Sequence, residues 1–481
     1  VTPHLPRATI TMPPYVPRVT ISMLPDVALL EIFDFYVHGT WEGPNAWYKL
    51  VHVCQKWRNI AFGSPGRLGL QLHCTAGTPV MKTLDVWPPL PIVINASGIE
   101  LFKGKLDTDY VTDNIIAALK HNNRVCQLTL FFIPLEEVLA AMQQPFPALT
   151  LLNLRRHEHE VAPIDADSFL GGSAPPHLQT LKFFEIPIPG LPKLLLSATH
   201  LVLLELWDIP HSGYISPEAM VTGLSVLTRL ENLVIDFKSP QSRPDRRRPP
   251  PRTRALLPVL TELWFKGVTE YLEDLVARID APLLDDLNIT FFHQLLFDTP
   301  HLTQFISRAP KFKAYDEAHV VFPSWAASVK TVDERLRLKI LCNQPDWQLS
   351  SLAQVCRSSF PQTLISTMET LYIQSDYYRP SGLEDAEPSF PGENYIESTQ
   401  WLELLHPFAA VKYLYISPVS TPSIATALQE LVAEAVTEVL PALQALFLKE
   451  LPSKPIQEAI EKFVSARQLS NHPITVFRWE R

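Results

Sequence analysis

One apolar signature governs what this chain can fold into: Leu-x-x-Leu-x-Leu, with apolar substitutes, recurring along most of its length. It stands at Val125-Leu128-Leu130, Leu149-Leu152-Leu154, Leu178-Leu181-Phe183, Leu201-Leu204-Leu206, Leu230-Leu233-Ile235, Leu260-Leu263-Phe265 and Leu284-Leu287-Ile289. Weaker copies follow at Phe312-Tyr315 and Leu336-Leu338, and clear ones return at Met368-Leu371-Ile373, Val411-Leu414-Ile416 and Leu443-Leu446-Leu448. The central residues of the first seven are 24, 29, 23, 29, 30 and 24 positions apart, and spacings of 33, 43 and 32 mark insertions after residue 338. A unit of this length cannot bury its own apolar face and must stack on copies of itself. Period-two alternation puts the leucines on one side of a short strand and the intervening residues on the other.

The spacing is that of leucine-rich repeats, about 20–29 residues with occasional longer units. Helical faces lie between the strands: Leu135, Val138, Leu139 and Met142; Leu272, Leu275, Val276 and Ile279; and Leu302, Phe305 and Ile306 after a Thr299-Pro300 cap. Each unit is expected to be strand, turn and helix, so that the sheet is parallel and its helix-free face concave. A repeat array also suits 481 residues, because a single core rarely grows past about 250–300. The rival fold, a doubly wound α/β sheet, requires no fixed register of this kind. The Asn or Cys that usually follows Leu-x-x-Leu-x-Leu is not consistently present, and 45 Pro against 16 Gly suggest turns closed by proline. The horseshoe is therefore expected to be irregular. Two segments interrupt it: an Arg/Pro stretch at 239–254 and an acidic, proline-rich one at 379–397, both read as solvated loops.

Ahead of the repeats lie two helical stretches. Leu24 to Val37 starts with Pro25 and Asp26, suited to a helix N-terminus, and carries apolar residues over more than one stripe. Val27, Leu30 and Phe33 make one row, and Leu29, Ile32 and Tyr36 the next. The second stretch, residues 45–62, has Trp47, Leu50, Val51, Val53, Trp57, Ile60 and Ala61 at helical spacing and stops at Gly63-Ser64-Pro65-Gly66. Some forty residues bury too little surface to be stable alone, so the extra apolar side must meet the rest of the chain or a partner.

Leu24-Pro25, Leu29-Leu30, Ile32-Phe33, Val53-Cys54 and Trp57-Arg58 resemble the F-box, whose pattern opens with Leu-Pro and closes with Val-Cys-x-x-Trp-Arg. The continuation from Arg67 looks like the segment that follows the F-box in a large group of fungal F-box proteins. The loop His38–Pro44 is longer than in compact members. The resemblance implies a small helical F-box followed by a leucine-rich-repeat solenoid, in an α/β protein. The boundaries are a disordered leader at 1–22, the F-box at 23–66, a connecting segment with first strands at 67–122 and the solenoid at 123–481. By the same resemblance the chain is a substrate receptor of a cullin-RING ubiquitin ligase, bound through a Skp-type adaptor to a cullin. Leu24, Pro25, Ile32, Phe33, Val53, Cys54 and Trp57 would then lie at or under the adaptor surface, some of them internal to the hairpin.

Catalytic motifs are incomplete throughout the sequence. Gly98–Leu106 has five residues between its glycines, and Leu106 stands where a phosphate loop needs Ser or Thr. His157 and His159 lack further metal ligands nearby, and there is no G-x-S-x-G and no H-E-x-x-H. Neither a metal nor another cofactor is expected, and the chain is read as a non-enzyme. The five cysteines include no C-x-x-C pair and suit a reducing compartment. No apolar run is long enough to span a membrane. The proline-broken N-terminus is no secretory signal, and a start at Val1 points to an incomplete beginning. The sequons at Asn95 and Asn288 are then incidental, and a cytoplasmic or nuclear protein is expected. A net charge of −9 argues against nucleic acid as the main partner.

The face that remains is the helix-free side of the sheet. The x of each Leu-x-Leu gives one column: Asn153, Lys182, Glu205, Val234, Trp264, Asn288, Tyr372, Tyr415 and Phe447. The residue after each Leu-x-Leu gives a second: Arg155, Phe184, Trp207, Asp236, Lys266, Thr290, Gln374, Ser417 and Lys449. Aromatic side chains beside Arg and Lys have the composition of protein-interface hot spots. Lys182, Glu205, Trp207, Trp264, Tyr372 and Tyr415 are the expected contacts for a protein substrate, although a loop or the chain's own C-terminus would cover some of these rings. The alternative is a repeat scaffold that binds proteins without any coupling to ubiquitination.

Overall fold

A computed structural model of the chain describes residues 21–39, 46–75, 77, 79–97, 108–131, 135–156, 163–240, 254–313, 315–375, 398–431, 435–449 and 453–479. The leader at 1–20, the long loop at 40–44, Gly98–Leu106, His157 and His159, and the loops at 241–253 and 379–397 lie outside the described residues. The chain divides into two units, residues 1–73 with 82–93, and residues 74–81 with 94–481.

The first unit holds α1 (Asp26–Gly39), α2 (Trp47–Val53) and α3 (Gln55–Gly63). Asp26 in the first turn of α1 and His38 in the last suit the macrodipole. The single helix expected over 45–62 is two. Cys54 is extended at φ −160°, ψ 169°, so it ends α2 and starts α3. In a straight helix Trp47 and Phe62 would stand about 22 Å apart at 1.5 Å per residue; here their rings are 6.1 Å apart. The break therefore brings two apolar sets together, and Arg58 Nε ties it by donating to Val51 O at 2.9 Å.

Trp47 is wholly buried at the centre of this unit. It stacks on Tyr48 at 4.1 Å, meets Trp87 edge-on at 5.5 Å and donates from Nε1 to Gln71 O at 3.2 Å. Leu68, Leu70, Leu72, Leu84 and Leu90 are buried too. Residues after the F-box-like stretch thus complete a core that three short helices could not close alone.

Strands β1 (Leu72–Cys74) and β2 (Ile92–Ser97) lie where the chain passes between the units. The second unit continues with β3 (Val125–Phe131), β4 (Leu151–Arg155), β5 (Thr180–Phe184), β6 (Leu203–Ile209), β7 (Asn232–Phe237), β8 (Ala255–Leu256), β9 (Glu262–Gly267), β10 (Ile279–Asp280) and β11 (Asp286–Phe292). After these come β12 (Glu317–Val321), β13 (Ala326–Thr331), β14 (Leu336–Leu341), β15 (Thr370–Gln374), β16 (Tyr413–Ile416), β17 (Ala445–Leu448) and β18 (Thr475–Arg478). Apart from the small β8–β10 pair, they form one open sheet in the order β3-β4-β5-β6-β7-β9-β11-β14-β13-β12-β15-β16-β17-β18.

The register follows the repeat. Leu128, Leu152, Leu181, Leu204, Leu233, Leu263 and Leu287 stand opposite one another on successive parallel strands. All seven are wholly buried, each contributing about 1.5–3 kcal/mol by leaving water. Helices cover this side in series, each packed on the next: Leu191–Leu195, Pro217–Leu224, Thr269–Val276 and Pro300–Arg308, then Pro345–Ser358, Ser398–Leu405, Thr421–Glu430 and Lys454–Leu469. The unit is a leucine-rich-repeat array.

The sequence misplaces two features of it. The weak copy at Phe312-Tyr315 is no strand: Pro310–Phe312 is a 3-10 turn, and the strand begins at Glu317. From there β12, β13 and β14 run as an antiparallel meander inside an otherwise parallel sheet. The turns at 322–325 and 332–335 are far too short for the dozen residues or more that a parallel crossover needs. The Thr299 cap is also reassigned. Its side chain makes no capping bond, and its Oγ1 lies 2.7 Å from Ser359 Oγ. Glu273, from the preceding helix, accepts the N–H groups of His301 and Leu302 at 2.9 and 2.8 Å. A carboxylate does the work expected of a hydroxyl, and it also favours the positive helix end.

Candidate functional site

Two surfaces stand out, one on each unit. On the first, α1 has an inner and an outer face. Leu29 and Phe33 are wholly buried, and the Phe33 ring lies 4.8 Å from that of Trp57. On the outer face Val27 is 69% exposed, Ile32 44% and Phe35 81%, and Val53 at the end of α2 is 58% exposed. Pro25 and Cys54 are exposed as well, while Leu24 and Trp57 are half-buried. Lys56 Nζ donates to Leu24 O at 3.0 Å and pairs with Asp26 at 3.3 Å, which holds the start of α1 on α3. Of the residues the F-box resemblance singles out, Phe33 therefore builds the interior, whereas Pro25, Ile32, Val53 and Cys54 reach the surface. Val27 and Phe35 belong with the exposed set; the buried pair Leu29 and Phe33 takes one residue from each of the two apolar rows, so those rows do not mark the inner and outer faces.

On the second unit, the helix-free sheet face carries the x column in strand-to-strand register. It runs Asn153, Lys182, Glu205, Val234, Trp264, Asn288, Arg337, Lys330, His319, Tyr372, Tyr415, Phe447 and Phe477. Arg337, Lys330, His319 and Phe477 are absent from the sequence-derived column, because Arg337 lies in a weak copy, Lys330 and His319 sit in meander strands without one, and Phe477 follows the last clear copy.

This face has two chemically distinct parts. From β12 to β18 it is a ladder of rings: His319 on Tyr372 at 4.6 Å, Tyr372 on Tyr415 at 4.5 Å, Tyr415 on Phe447 at 4.2 Å and Phe447 on Phe477 at 5.2 Å. Cross-strand ring pairs of this kind stabilise a sheet by about 0.2–1 kcal/mol each. Trp479, near the chain end, meets Tyr415 edge-on at 5.3 Å and reaches Tyr372 at 6.4 Å. Those two expected contacts are thus partly occupied by the chain itself.

From β4 to β14 the face mixes charge with tryptophan. Lys182 pairs with Glu205 at 2.8 Å, and Glu205 accepts from Trp207 Nε1 at 2.9 Å. Phe184 stacks on Trp207 at 5.8 Å, and Trp264 meets Trp207 edge-on at 6.1 Å. Lys182, Glu205, Trp207 and Trp264 are therefore one connected cluster. Asp208 follows at φ 49°, a left-handed conformation that Asp tolerates better than most residues, and a register shift falls here between β6 and β7. It turns the Asp208 carboxylate to 3.2 Å from Lys266, which also holds Asp236 at 2.8 Å. Burial pushes the Asp236 carboxyl up to about 6, against the pull of Lys266. Trp207, Val234, Asp236, Trp264, Lys266, Asn288, Thr290, Arg337 and Lys339 surround a hollow of about 190 Å³.

At the opposite end of the central strands acidic side chains gather around Arg335. Asp286 is pushed up to about 6 by burial and then by Glu262 and Asp285. Its folded pKa lies above the ordinary carboxylate value, so the fold binds its proton more tightly than the unfolded chain does. The resulting penalty is absent below about pH 4, grows as pH rises to about 6 and is complete above that. Asp286→Asn should therefore raise the melting temperature at pH 8 and leave it nearly unchanged at pH 4, as measured by thermal circular dichroism.

Among the described residues, no cluster of His, Cys, Asp or Glu suits a metal ion, and no helix is long and apolar enough to cross a membrane. No family model matches the chain, and no curated protein matches it. Among solved structures it is similar to the leucine-rich repeat-containing protein LegL7 from Legionella pneumophila, at 11% identity and a TM-score of 0.25 over 82% of this chain and 96% of that one. The strand register, rather than this likeness, carries the assignment of the fold.

Proposed function

We propose that the chain is the substrate-receptor subunit of an SCF-type cullin-RING ubiquitin ligase. The α1–α3 unit docks on a Skp-type adaptor, and through it on a cullin, while the open sheet face holds a protein substrate. What supports the adaptor half is the outer face of α1. A helix that buries Leu29 and Phe33 inward has no folding reason to present Val27, Ile32 and Phe35 outward. What supports the substrate half is the open face, where rigid strands offer tryptophan, tyrosine and paired charges to one side. The chain would itself do no covalent chemistry. It would raise the effective concentration of substrate beside a ubiquitin-charged enzyme.

The deciding experiment mixes the purified chain with a purified Skp-type adaptor and follows coelution on a sizing column. Coelution at a one-to-one ratio is expected. Separate elution would leave only the coarser reading, a repeat scaffold whose open face binds protein without a link to ubiquitination.

A further inference from the structure

We propose that the hollow between β7, β9, β11 and β14 receives an acidic side chain, Asp or Glu, of an extended peptide, with its carboxylate on Lys339 and Arg337 and a flanking apolar residue against Trp264. This rests on the reading that the open face holds protein, and it names the chemistry of what is held.

Size sets the first limit. At about 190 Å³ the hollow admits a side chain or two, whereas small-molecule and cofactor pockets run to about 300–1,000 Å³. Charge sets the second. Three cations reach the hollow, and two have partners: Lys266 is held by Asp236 and Asp208, and Arg337 pairs with Glu334. Lys339 is different. Its Nζ lies 3.7 Å from the centre of the Trp325 ring, and among the described residues no carboxylate pairs with it. Its charged neighbours are Arg337 on its own strand and Lys266 from β9, both repelling it. Thr290 from β11 and Ser328 from β13, which stand opposite it, are neutral. A half-buried ammonium without a counter-charge is costly, and burial first, then these two cations, bring its pKa down to about 8. A carboxylate placed there removes that cost. Nucleic acid fits less well, because a run of phosphates along this face would also meet Glu205, Asp208, Asp236 and Glu334. Trp207, Val234 and Trp264 form the apolar wall beside the cations, the mixture in which a single anchoring side chain gains most.

The test selects phage-displayed random decapeptides on the immobilised full chain at pH 7, then titrates fluorescein-labelled copies of the enriched peptides by anisotropy. Enriched peptides should carry Asp or Glu beside a large apolar residue. Their affinity should fall at least about tenfold for Lys339→Met, and equally when the peptide's own acid is changed to its amide, which leaves the protein untouched. Lys339→Arg should restore binding. In the wild type, affinity should fall as pH rises through about 8 and Lys339 loses its proton, by no more in total than Lys339→Met costs; in Lys339→Arg it should stay level over the same range. Enriched peptides without acids, or peptides indifferent to Lys339→Met, would overturn this inference. If such peptides still lose about tenfold to Trp264→Ala, the open-face reading stands. No enrichment at all, or enriched peptides indifferent to both Lys339→Met and Trp264→Ala, would overturn both.

Discussion

Replacing Val27 and Phe35 together by aspartate is expected to weaken capture of a Skp-type adaptor by more than about 100-fold, because two apolar hot spots at an interface centre each contribute about 2 kcal/mol or more. Both side chains lie on the outer face of α1, and Phe35 is the more exposed. Neither closes the core around Trp47, so the melting curve of the first unit should shift little; surface substitutions away from special features usually stay within about ±0.5 kcal/mol. Phe33→Ala is the contrasting variant. That ring is wholly buried against Trp57, and its loss should cost about 3–5 kcal/mol, unfolding the unit rather than merely blanking its surface. Coelution with the adaptor and circular dichroism, measured on the same preparations, separate the two effects. Undiminished capture by the double aspartate variant would move the adaptor contact off α1.

Within one strand, two neighbouring residues should differ in how much folding stability they carry. Leu263 is wholly buried, and across the ladder it faces Leu233 and Leu287. Leu263→Ala leaves a cavity between fixed neighbours and should cost about 2–5 kcal/mol. Trp264, the next residue, points to the open face, where Trp207 is its ring partner. Trp264→Ala leaves no enclosed cavity, and with the ring 40% exposed it should cost less folding stability than Leu263→Ala. Urea midpoints compare the two directly. Equal losses would mean that the alternation of buried leucine and outward x residue does not organise this strand.

The array was legible because its signal is redundant. Period-two apolar alternation fixes which face each residue takes, and a constant Leu-x-x-Leu-x-Leu frame fixes the register. Both point the same way in every clear copy, which is why Asn153 through Asn288 form one column in space as they do on paper. Where the frame lapses, the reading lapses with it. Between Phe312 and Leu336 short turns replace helices, and no apolar count says that the chain will reverse direction. His319 and Lys330 are missed for that reason, whereas Arg337, the x residue of the weak copy Leu336-Leu338, drops out only because the column is drawn from the stronger copies. The break at Cys54 is invisible for another: the helical spacing of apolar residues runs through it with no Gly or Pro to mark a stop, and only the contact between Trp47 and Phe62 reveals why the helix must end. Thr299 shows the limit of local rules. Thr-Pro is a sound start signal, yet a carboxylate distant in sequence took the donors.

The hairpin cluster of β12, β13 and β14 also bears on how loss of structure travels. Stacked repeats hold only their immediate neighbours, so fraying that begins at the exposed edge strand β18 spreads one rung at a time. Strands joined by tight reversals re-form from contacts close along the chain, faster than rungs that wait for a distant segment to return. The meander is therefore a clasp set in the middle of the zip: opening that starts at the carboxyl-terminal end should stall there, leaving the rungs that carry Trp207 and Trp264 closed.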